Sequence, residues 1–157
     1  MTRKILFVCH GNICRSPMAE FVFKNMFFSR MADFADGEPF VIESAATSAE
    51  EIGNDMHIRA KEKLKEKGIP FTRRRSRRIT AEDYDKFDVL IGMDIENIYR
   101  MQKLWKNDPS DKVKLLLSFA GKDRDIADPW YTHDFEKTFI DINEGCSALL
   151  EKILKET

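Results

Sequence analysis

A short loop between a strand-like and a helix-like segment is the feature that most restricts the fold of this 157-residue chain. The apolar run at residues 4–8 has the composition of a strand that is buried on both faces. Residues 9–17 follow, with the sequence Cys-His-Gly-Asn-Ile-Cys-Arg-Ser-Pro. Ser16 is a typical N-cap, and Pro17 suits a first helical position because its missing N–H would be unpaired there. The sequence therefore predicts a strand, a tight loop and a helix.

The loop has the composition of an anion-binding site with a thiol at its centre. A loop that closes onto a helix N-terminus directs several backbone N–H groups at one point, which suits a phosphate dianion. Gly11 allows close approach of the backbone, and Asn12 tolerates a positive φ. Helix dipoles and a nearby cation favour the thiolate form of Cys9, and Arg15 can hold two phosphate oxygens. This pattern predicts a nucleophilic phosphate site; an ordinary buried cysteine beside an unrelated turn is the alternative.

Strand-like segments alternate with helix-like segments along the chain. They lie at residues 4–9, 40–44, 87–92 and 113–117. This order predicts a single α/β domain over residues 1–157, built as a three-layer α/β/α sandwich with a central four-stranded parallel sheet and flavodoxin-like or Rossmann-like topology. Ligands of such sheets bind beyond the carboxyl ends of the strands. Cys9 ends the first strand, so the predicted site lies where this fold places one.

Helix boundaries can be predicted from capping and breaking residues. The first helix is expected at residues 16–31, and the second at residues 54–67, ended by Gly68. The third begins after Asp94, its predicted cap. Two apolar sets recur at helical spacing and are expected to be buried: Ile95, Ile98, Met101 and Trp105 in the third helix, and Phe135, Phe139, Ile142, Cys146, Leu149 and Ile153 in the last. Cys146 is accordingly expected in the core.

Composition argues against several classes of protein. The chain is 43% hydrophobic with a formal net charge of −1, so nothing global indicates nucleic-acid binding. Neither a membrane span nor a signal peptide is expected, because the apolar runs are too short. Cys9, Cys14 and Cys146 do not form a secreted disulfide framework, so a cytoplasmic location is expected. No metal or other cofactor is expected, because the histidines lack ligand-like spacing with the cysteines.

Residues 8–20 resemble the signature of the low-molecular-weight protein tyrosine phosphatases. Other segments resemble blocks of that family in order and spacing, so that the resemblance covers essentially the whole chain: residues 43–48, 53–54, 68–70, 87–88, 93–94 and 128–131. The resemblance implies hydrolysis of phosphotyrosine and aryl phosphates through a phosphocysteine on Cys9. It implies that phosphate is bound by one run of residues: His10, Gly11, Asn12, Ile13, Cys14, Arg15 and Ser16.

The resemblance also implies a general acid, which the leaving phenoxide requires. Asp128 matches the family's general acid, and Trp130 and Tyr131 match its substrate-facing aromatic residues. Taken alone, the run Asp-Pro-Trp-Tyr is equally typical of a turn with some apolar packing. The catalytic set implied by the resemblance is therefore Cys9, Arg15 and Asp128.

Supporting roles follow for other polar residues near the loop. Asn12 and Ser44 match the family pair that holds the loop by hydrogen bonds, and Ser16 matches the hydroxyl that stabilises the thiolate. Cys14 lies in the same curled loop as Cys9, so oxidation is predicted to join the two in a reversible disulfide. The alternative is that Cys14 merely packs beneath the loop.

Departures from the family pattern bear on the substrate. His10 stands where the family usually has an apolar residue, and would either add positive charge beside the thiol or lie solvated on the rim. Glu50 replaces a common aromatic residue in the substrate-binding wall, which predicts weaker selection for acidic phosphopeptides. Residues 73–78 contain five arginines and are more typical of a solvated loop than of a patch for RNA or an acidic partner. Ile13 resembles tyrosine-directed members, whereas arginine-directed members have threonine there.

Competing functions make different demands on these residues. A thioredoxin-coupled arsenate reductase needs a resolving cysteine pair, and residues 80–90 contain no cysteine. A protein-arginine phosphatase is disfavoured by Ile13. A catalytically idle phosphoprotein-binding module would need neither the thiol of Cys9 nor the acid Asp128. The expected partners are tyrosine-phosphorylated proteins or peptides, with phosphate and other oxyanions as inhibitors, and neither membrane nor nucleic acid.

Overall fold

A parallel sheet forms the centre of the molecule. The structure, a computed structural model, describes residues 2–34 and 39–156, and within them the sheet has four strands. These are β1 (Lys4–Cys9), β2 (Val41–Ala46), β3 (Val89–Gly92) and β4 (Val113–Leu115). The strands are hydrogen-bonded in the order β2-β1-β3-β4, and each neighbouring pair is parallel. This is the strand order of flavodoxin-like folds, so the predicted topology is confirmed.

Helices cover both faces of the sheet. They are α1 (Arg15–Ser29), α2 (Ile58–Glu66), α3 (Asp83–Lys86), α4 (Ile95–Leu104), α5 (Pro129–Thr132) and α6 (Phe135–Lys155), with 3₁₀ turns at Met31–Asp33 and Leu116–Ala120. Side chains of α1, α2 and α6 pack on one face, and side chains of α3 and α4 pack on the other. The three layers of the predicted sandwich are therefore present.

The central strand β1 supplies both apolar cores. Ile5 and Phe7 point to the face covered by α1 and α6, whereas Leu6 and Val8 point to the opposite face, and all four are completely buried. The rings of Phe7 and Phe23 lie 5.9 Å apart between β1 and α1. Burial on both faces explains why this strand is continuously apolar. It also fixes the end of β1, and with it Cys9, in a rigid part of the fold.

The strand predictions are confirmed to within two residues at each end. The predicted burial of apolar residues in α6, including Cys146, is also confirmed. In α4 the cap Asp94 and the buried Met101 are as predicted, but the expected burial of Ile95 is wrong, since 65% of this residue is exposed. Ile95 is the first helical residue and lies about 120° around the helix from Met101, beyond the edge of the buried stripe.

The predicted start of the first helix is wrong in one respect. Helix α1 begins at Arg15 with Cys14 as its N-cap residue, so that Ser16 and Pro17 already lie in the first turn. Ser16 does not cap the helix because its hydroxyl group is hydrogen-bonded inside the loop, to Asn12 and Cys9. The helix therefore starts directly from the loop that follows β1, without a side-chain cap.

The second helix begins later than predicted, at Ile58 rather than near Asn54. The intervening residues are held by other parts of the chain: the His57 N–H donates to the Ile13 carbonyl at 2.8 Å, and the Asn54 carbonyl accepts from the Ser76 N–H at 2.7 Å. These tertiary bonds compete with helix formation. The helix ends as predicted, before Gly68 at a φ of 71°.

No helix within residues 2–34 and 39–156 combines the length and the apolar character that crossing a membrane requires.

Candidate active site

The sulfur of Cys9 lies inside the loop that joins β1 to α1. The backbone N–H groups of Asn12 and Ser16 point at Sγ, at 3.3 and 3.4 Å, and the Ser16 hydroxyl oxygen lies 3.1 Å away. Cys9 is nearly fully buried from solvent. Convergent N–H and O–H groups at a helix N-terminus stabilise negative charge on sulfur. The local chain path thus creates an environment suited to a thiolate.

A buried amide holds the loop in this shape. Asn12 has a φ of 59°, in the left-handed region that asparagine tolerates better than most residues. Its Nδ2 donates to the Ser16 and Ser44 hydroxyl oxygens at 2.8 and 2.9 Å. Ser44 lies on the neighbouring strand β2, so these bonds join the loop to the sheet. The structure therefore brings together Asn12 and Ser44, which the resemblance implied as loop supports, and Ser16, which it implied as the hydroxyl that stabilises the thiolate.

Arg15 lies at the base of the cleft, with only 2% of the residue exposed. Its Nη1 donates to Asp94 Oδ2 at 2.6 Å and to the Ile126 carbonyl at 2.9 Å, and its Nη2 lies 3.4 Å from Asp128 Oδ2. Burial opposes the charge of Arg15, but the charges of Cys9, Asp94 and Asp128 outweigh it and raise the pKa of the guanidinium. The cation is thus held in place by acidic groups from two other segments.

Asp94 is a site residue that sequence reasoning missed, because its role as a helix cap explained it adequately. Its two carboxylate oxygens serve different partners: Oδ1 accepts from the Asn97 N–H at 2.8 Å, and Oδ2 accepts from Arg15. A signal was available in the chain, since Asp94 closely follows β3 and Cys9 ends β1. The carboxyl ends of parallel neighbouring strands meet at the same edge of a sheet.

Asp128 reaches the cleft from the loop before α5. Its Oδ1 accepts the Trp130 N–H at 3.0 Å and caps this short helix, while Oδ2 faces Arg15. Trp130 and Tyr131 follow on the cleft wall and are 56% and 77% exposed. Exposed aromatic side chains beside a charged cleft are available for stacking against a ligand ring.

These elements form one open cleft. Its lining includes nearly every predicted site residue together with Glu51: Cys9, His10, Gly11, Ile13, Cys14, Arg15, Glu50, Glu51, Asp128, Trp130 and Tyr131. Asn12, Ser16 and Ser44 are buried behind this surface. The arrangement combines a thiol, an arginine and a carboxylate around one opening.

A family model described as low molecular weight phosphotyrosine protein phosphatase matches residues 4–157 of the chain. The chain belongs to this family. It is 37% identical over 155 residues to the low molecular weight protein-tyrosine-phosphatase YfkJ of Bacillus subtilis, covering 97% of this chain and 96% of YfkJ. It is also 37% identical over 156 residues to the human low molecular weight phosphotyrosine protein phosphatase, covering 96% of each.

Solved structures of this phosphatase family share the fold. The crystal structure of YfkJ superposes with a TM-score of 0.91 at 35% identity, covering 100% of this chain and 98% of YfkJ. Vibrio vulnificus Wzb, solved in complex with benzylphosphonate, superposes with a TM-score of 0.83 at 25% identity, covering 97% and 99%. Cys9 and Arg15 occupy the positions that the family's phosphate loop requires.

His10 and Glu50 are the departures from the family pattern that face the cleft. His10 Nε2 lies 3.1 Å from Glu50 Oε2, and both side chains are exposed at the rim. The structure therefore places His10 on the rim beside a carboxylate. Glu50 and Glu51 give this wall of the cleft acidic character.

The two remaining cysteines occupy different environments. Cys14 is a buried free thiol within the loop that lines the floor of the cleft, and burial, together with the charges of Cys9 and Asp128, raises its pKa to about 12. Cys146 is completely buried in α6 with its thiol directed at the Ala19 carbonyl, and burial raises its pKa as well. Within residues 2–34 and 39–156, no three His, Cys, Asp or Glu side chains are placed to hold a metal ion.

The basic run at residues 73–78 is only partly the solvated loop that its composition favoured. Arg73 and Arg75 are exposed, as expected. Arg77, however, forms a two-pronged ion pair with Asp83, with both N–O distances at 3.0 Å. Arg74 reaches the phosphate loop itself, where its Nη2 donates to Asn12 Oδ1. The composition of this run predicted its positive charge. It did not predict which arginines face solvent and which contact the rest of the protein.

Proposed function

We propose that this chain is a protein tyrosine phosphatase that hydrolyses phosphotyrosine and aryl phosphates through a phosphocysteine on Cys9. One observation carries the proposal: the Cys9 sulfur, held by loop N–H groups, opens into the same cleft as the buried Arg15 guanidinium and the Asp128 carboxyl group. Membership of the family supports it, since relatives bear the name of this activity.

The first chemical step forms the covalent intermediate. The Cys9 thiolate attacks phosphorus as the bond from phosphorus to the phenolic oxygen breaks. Loop N–H groups and Arg15 hold the non-bridging oxygens, whose charge is redistributed in the transition state. Asp94 and the Ile126 carbonyl fix one edge of the Arg15 guanidinium, which limits its motion. Asp128, in its protonated form, donates its proton to the leaving phenolic oxygen.

The second step releases inorganic phosphate. Asp128, now a carboxylate, accepts a proton from a water molecule that attacks phosphorus as the bond to sulfur breaks. The Cys9 thiolate leaves into the ring of donors formed by the Asn12 and Ser16 N–H groups and the Ser16 hydroxyl group. These donors lower the free energy of the departing thiolate, so they assist this step as well as the first.

The cleft wall supports an aromatic substrate. Trp130 and Tyr131 offer exposed rings near Asp128, where the phenol ring of phosphotyrosine would lie. The benzylphosphonate complex of the Vibrio relative supports the same class of ligand, a phosphorus oxyanion carried on an aromatic ring. Phosphate and similar oxyanions are expected to inhibit by occupying the loop. The partners are therefore tyrosine-phosphorylated proteins or peptides in a reducing, cytoplasmic compartment that keeps Cys9 as a thiol.

A panel of phosphopeptides tests the proposed substrate. Peptides of one sequence would carry phosphotyrosine, phosphoarginine or phosphoserine, and phosphate release would be measured with EDTA present. We expect roughly 10- to 100-fold faster release from phosphotyrosine, because its ring stacks on Trp130 and Tyr131. Release from phosphoarginine alone would overturn the tyrosine assignment. No release from any peptide, with vanadate still bound, would show a phosphate-binding module instead.

Flanking charge is varied in the same panel. Phosphotyrosine peptides with acidic flanks are expected to turn over more slowly than peptides with basic flanks, because Glu50 and Glu51 line the cleft. Glu50→Gln should reduce the difference, and raised salt should reduce it as well. Equal turnover of acidic and basic peptides by the unmodified protein would contradict an acidic cleft wall.

We also propose that Cys14 protects Cys9 from irreversible oxidation. Peroxide oxidises the Cys9 thiolate to a sulfenic acid, and the Cys14 sulfur displaces water from it to form a disulfide. The high pKa of Cys14 keeps it protonated in the reduced protein, so Cys9 is the group that reacts first with peroxide. Dithiothreitol then reduces the disulfide and restores both thiols.

Peroxide treatment followed by dithiothreitol tests this protection. The unmodified protein should recover most of its p-nitrophenyl phosphatase activity, whereas Cys14→Ser should recover several-fold less, because sulfinic acid is not reduced by thiols. Cys146→Ser is the matched control, since that thiol is buried away from the loop. Recovery by Cys14→Ser that equals recovery by the control would contradict the protective disulfide.

A further inference from the structure

Helix α5 is only four residues long, yet two groups of the proposed site belong to it. Asp128 caps its start, and Trp130 lies in its single turn on the wall of the cleft. One helical turn has too few internal hydrogen bonds to keep its shape in water by itself. Burial does not fix the indole either, because 56% of Trp130 is exposed. The position of Trp130 therefore depends on contacts with other elements of the fold.

One of these contacts is made by His57. The rings of Trp130 and His57 meet edge to face, with their centres 6.0 Å apart and their planes at 89°. Aromatic rings pack favourably in this arrangement. Tyr131, the other exposed ring on the cleft wall, has no such contact within residues 2–34 and 39–156. Of the two aromatic side chains, Trp130 is thus the one that another ring supports.

His57 is itself held by three contacts. Its ring stacks on that of the buried Phe135, with the centres 5.6 Å apart and the planes at 25°. Its Nδ1 accepts the Arg59 N–H at 3.1 Å and so caps α2. Its own backbone N–H donates to the Ile13 carbonyl at 2.8 Å. These contacts fix both the backbone and the ring plane of His57, so the ring is a well-anchored support beside Trp130.

Arg59 holds the other end of α5. Its Nη2 donates at 3.0 Å to the carbonyl of His133, the residue directly after this helix. Its guanidinium group also lies 4.5 Å from the centre of the Phe135 ring. The start of α2 therefore contacts α5 at two points. Because His57 is also bonded to Ile13, the same few residues connect the aromatic wall to the loop that would bind phosphate.

We propose that His57 is a positioning residue that holds Trp130 in place for stacking against the aromatic group of a bound ligand. The inference deepens the proposed function and rests on it for the aromatic class of ligand. An indole that is already restrained loses less conformational freedom when a ligand ring stacks on it. His57 therefore raises the affinity for aryl ligands without touching them.

Calorimetry with two phosphonates tests this inference. Benzylphosphonate and methylphosphonate would place the same anionic group in the loop, but only benzylphosphonate carries a ring that can reach Trp130. His57→Asn removes the ring of His57 and supplies another effective N-cap for α2. We expect it to weaken the binding of benzylphosphonate roughly three- to tenfold, which is the usual range for loss of an aromatic contact. Binding of methylphosphonate should not change.

A second variant separates stacking from helix capping. His57→Phe keeps an aromatic ring at this position but removes the acceptor for the Arg59 N–H. It should bind both phosphonates as the unmodified protein does, whereas its Tm should fall by about 2–4 °C because the cap is lost. His57→Asn should show the reverse, an unchanged Tm with a weaker preference for benzylphosphonate. General loosening of the fold would not produce these opposite patterns, and either variant remains informative if the other fails to fold.

Two further proteins serve as controls. His133→Asn changes the same residue type at the other end of α5, and asparagine tolerates its φ of 60°, so both affinities should be unchanged. Trp130→Ala removes the supported ring, and adding His57→Asn to it should weaken benzylphosphonate binding no further. A further loss in the double variant would show that His57 acts on the ligand by another route and would overturn the inference.

Other results would also overturn it. Equal weakening of both phosphonates by His57→Asn would place the effect in the loop, through Ile13. Unchanged binding in this variant would show that Trp130 needs no support, and equal affinity of the unmodified protein for the two phosphonates would show that the wall provides no stacking.

These measurements do not depend on turnover, so they distinguish the inference from the proposed function. If the protein hydrolyses phosphotyrosine but binds benzylphosphonate equally well with and without His57, the inference fails and the function stands. If it hydrolyses no phosphate ester but its preference for benzylphosphonate depends on His57 and Trp130 as described, the hydrolytic function fails and the positioning role stands.

Discussion

Cys9→Ser is expected to abolish hydrolysis of p-nitrophenyl phosphate, with a loss in kcat of roughly 10⁴-fold or more. A serine hydroxyl group is a much weaker acid and nucleophile than a thiol, so the variant lacks an effective nucleophile. The measurement is steady-state release of p-nitrophenol with EDTA present, in a reducing buffer. The loop N–H groups and Arg15 remain, so vanadate or phosphate binding, measured by calorimetry, should persist.

The control for this prediction is a second buried cysteine. Cys146→Ser changes the same atom in the core of α6 and should retain activity. Phosphocysteine formation can also be sought directly, by rapid quenching of the unmodified protein with substrate and detection of the phosphorylated peptide that contains Cys9. Substantial turnover by Cys9→Ser would show that another group attacks phosphorus and would contradict a covalent mechanism through Cys9.

Asp128→Asn is expected to lower kcat for phenyl phosphate by roughly 10²- to 10⁴-fold, which is the usual contribution of general acid catalysis. Asparagine is nearly isosteric with aspartate and is as good an N-cap, so the bond to the Trp130 N–H should survive. The substitution therefore removes the transferable proton while retaining the loop. Phosphotyrosine, whose leaving group is equally basic, should be affected to a similar extent.

The way in which the rate depends on the leaving group distinguishes proton donation by Asp128 from other roles. p-Nitrophenol departs readily as an anion, so Asp128→Asn should impair its release less than release of phenol. Asp134→Asn is a matched control, because Asp134 also caps a helix, accepting the Lys137 N–H at 2.9 Å, but does not line the cleft. If all substrates were impaired equally, the carboxyl group would act through Arg15 rather than as a proton donor.

Much of the fold could be predicted from the pattern of apolar and polar residues along the chain. The alternation of apolar strands with helical segments predicts the parallel sheet, and burial of β1 on both faces explains its unbroken apolar run. The starts of helices were harder to predict where hydrogen bonds to distant parts of the chain compete with capping residues. Ser16 has the right residue type for a cap, but its hydroxyl group is committed to the loop. Helix α2 begins only after His57, whose backbone N–H is bonded to the Ile13 carbonyl, a contact that no window around residue 57 contains.

In the candidate site, too, some residues could be predicted from the sequence and others could not. Cys9 and Arg15 belong to one continuous motif, so their spacing and their flanking signals identify them together. Asp128 lies far along the chain among many other carboxylates, and only the resemblance to a family selected it. Asp94 and Arg74 were missed because each has an adequate local explanation, as a helix cap and as part of a basic run. Their contacts with Arg15 and Asn12 are visible only in the folded chain.

The sequence by itself determined which segments form strands and which loop carries the proposed nucleophile, because these features depend on residues close together in the chain and on short-range backbone preferences. The tertiary structure decided which carboxylates restrain Arg15 and which arginine faces the loop rather than solvent. The physical reason is that the type of a residue sets its charge, whereas the group that it contacts can lie far away in the sequence. Whether Arg74 is solvated or directed at Asn12 depends on how segments 62 residues apart are packed together.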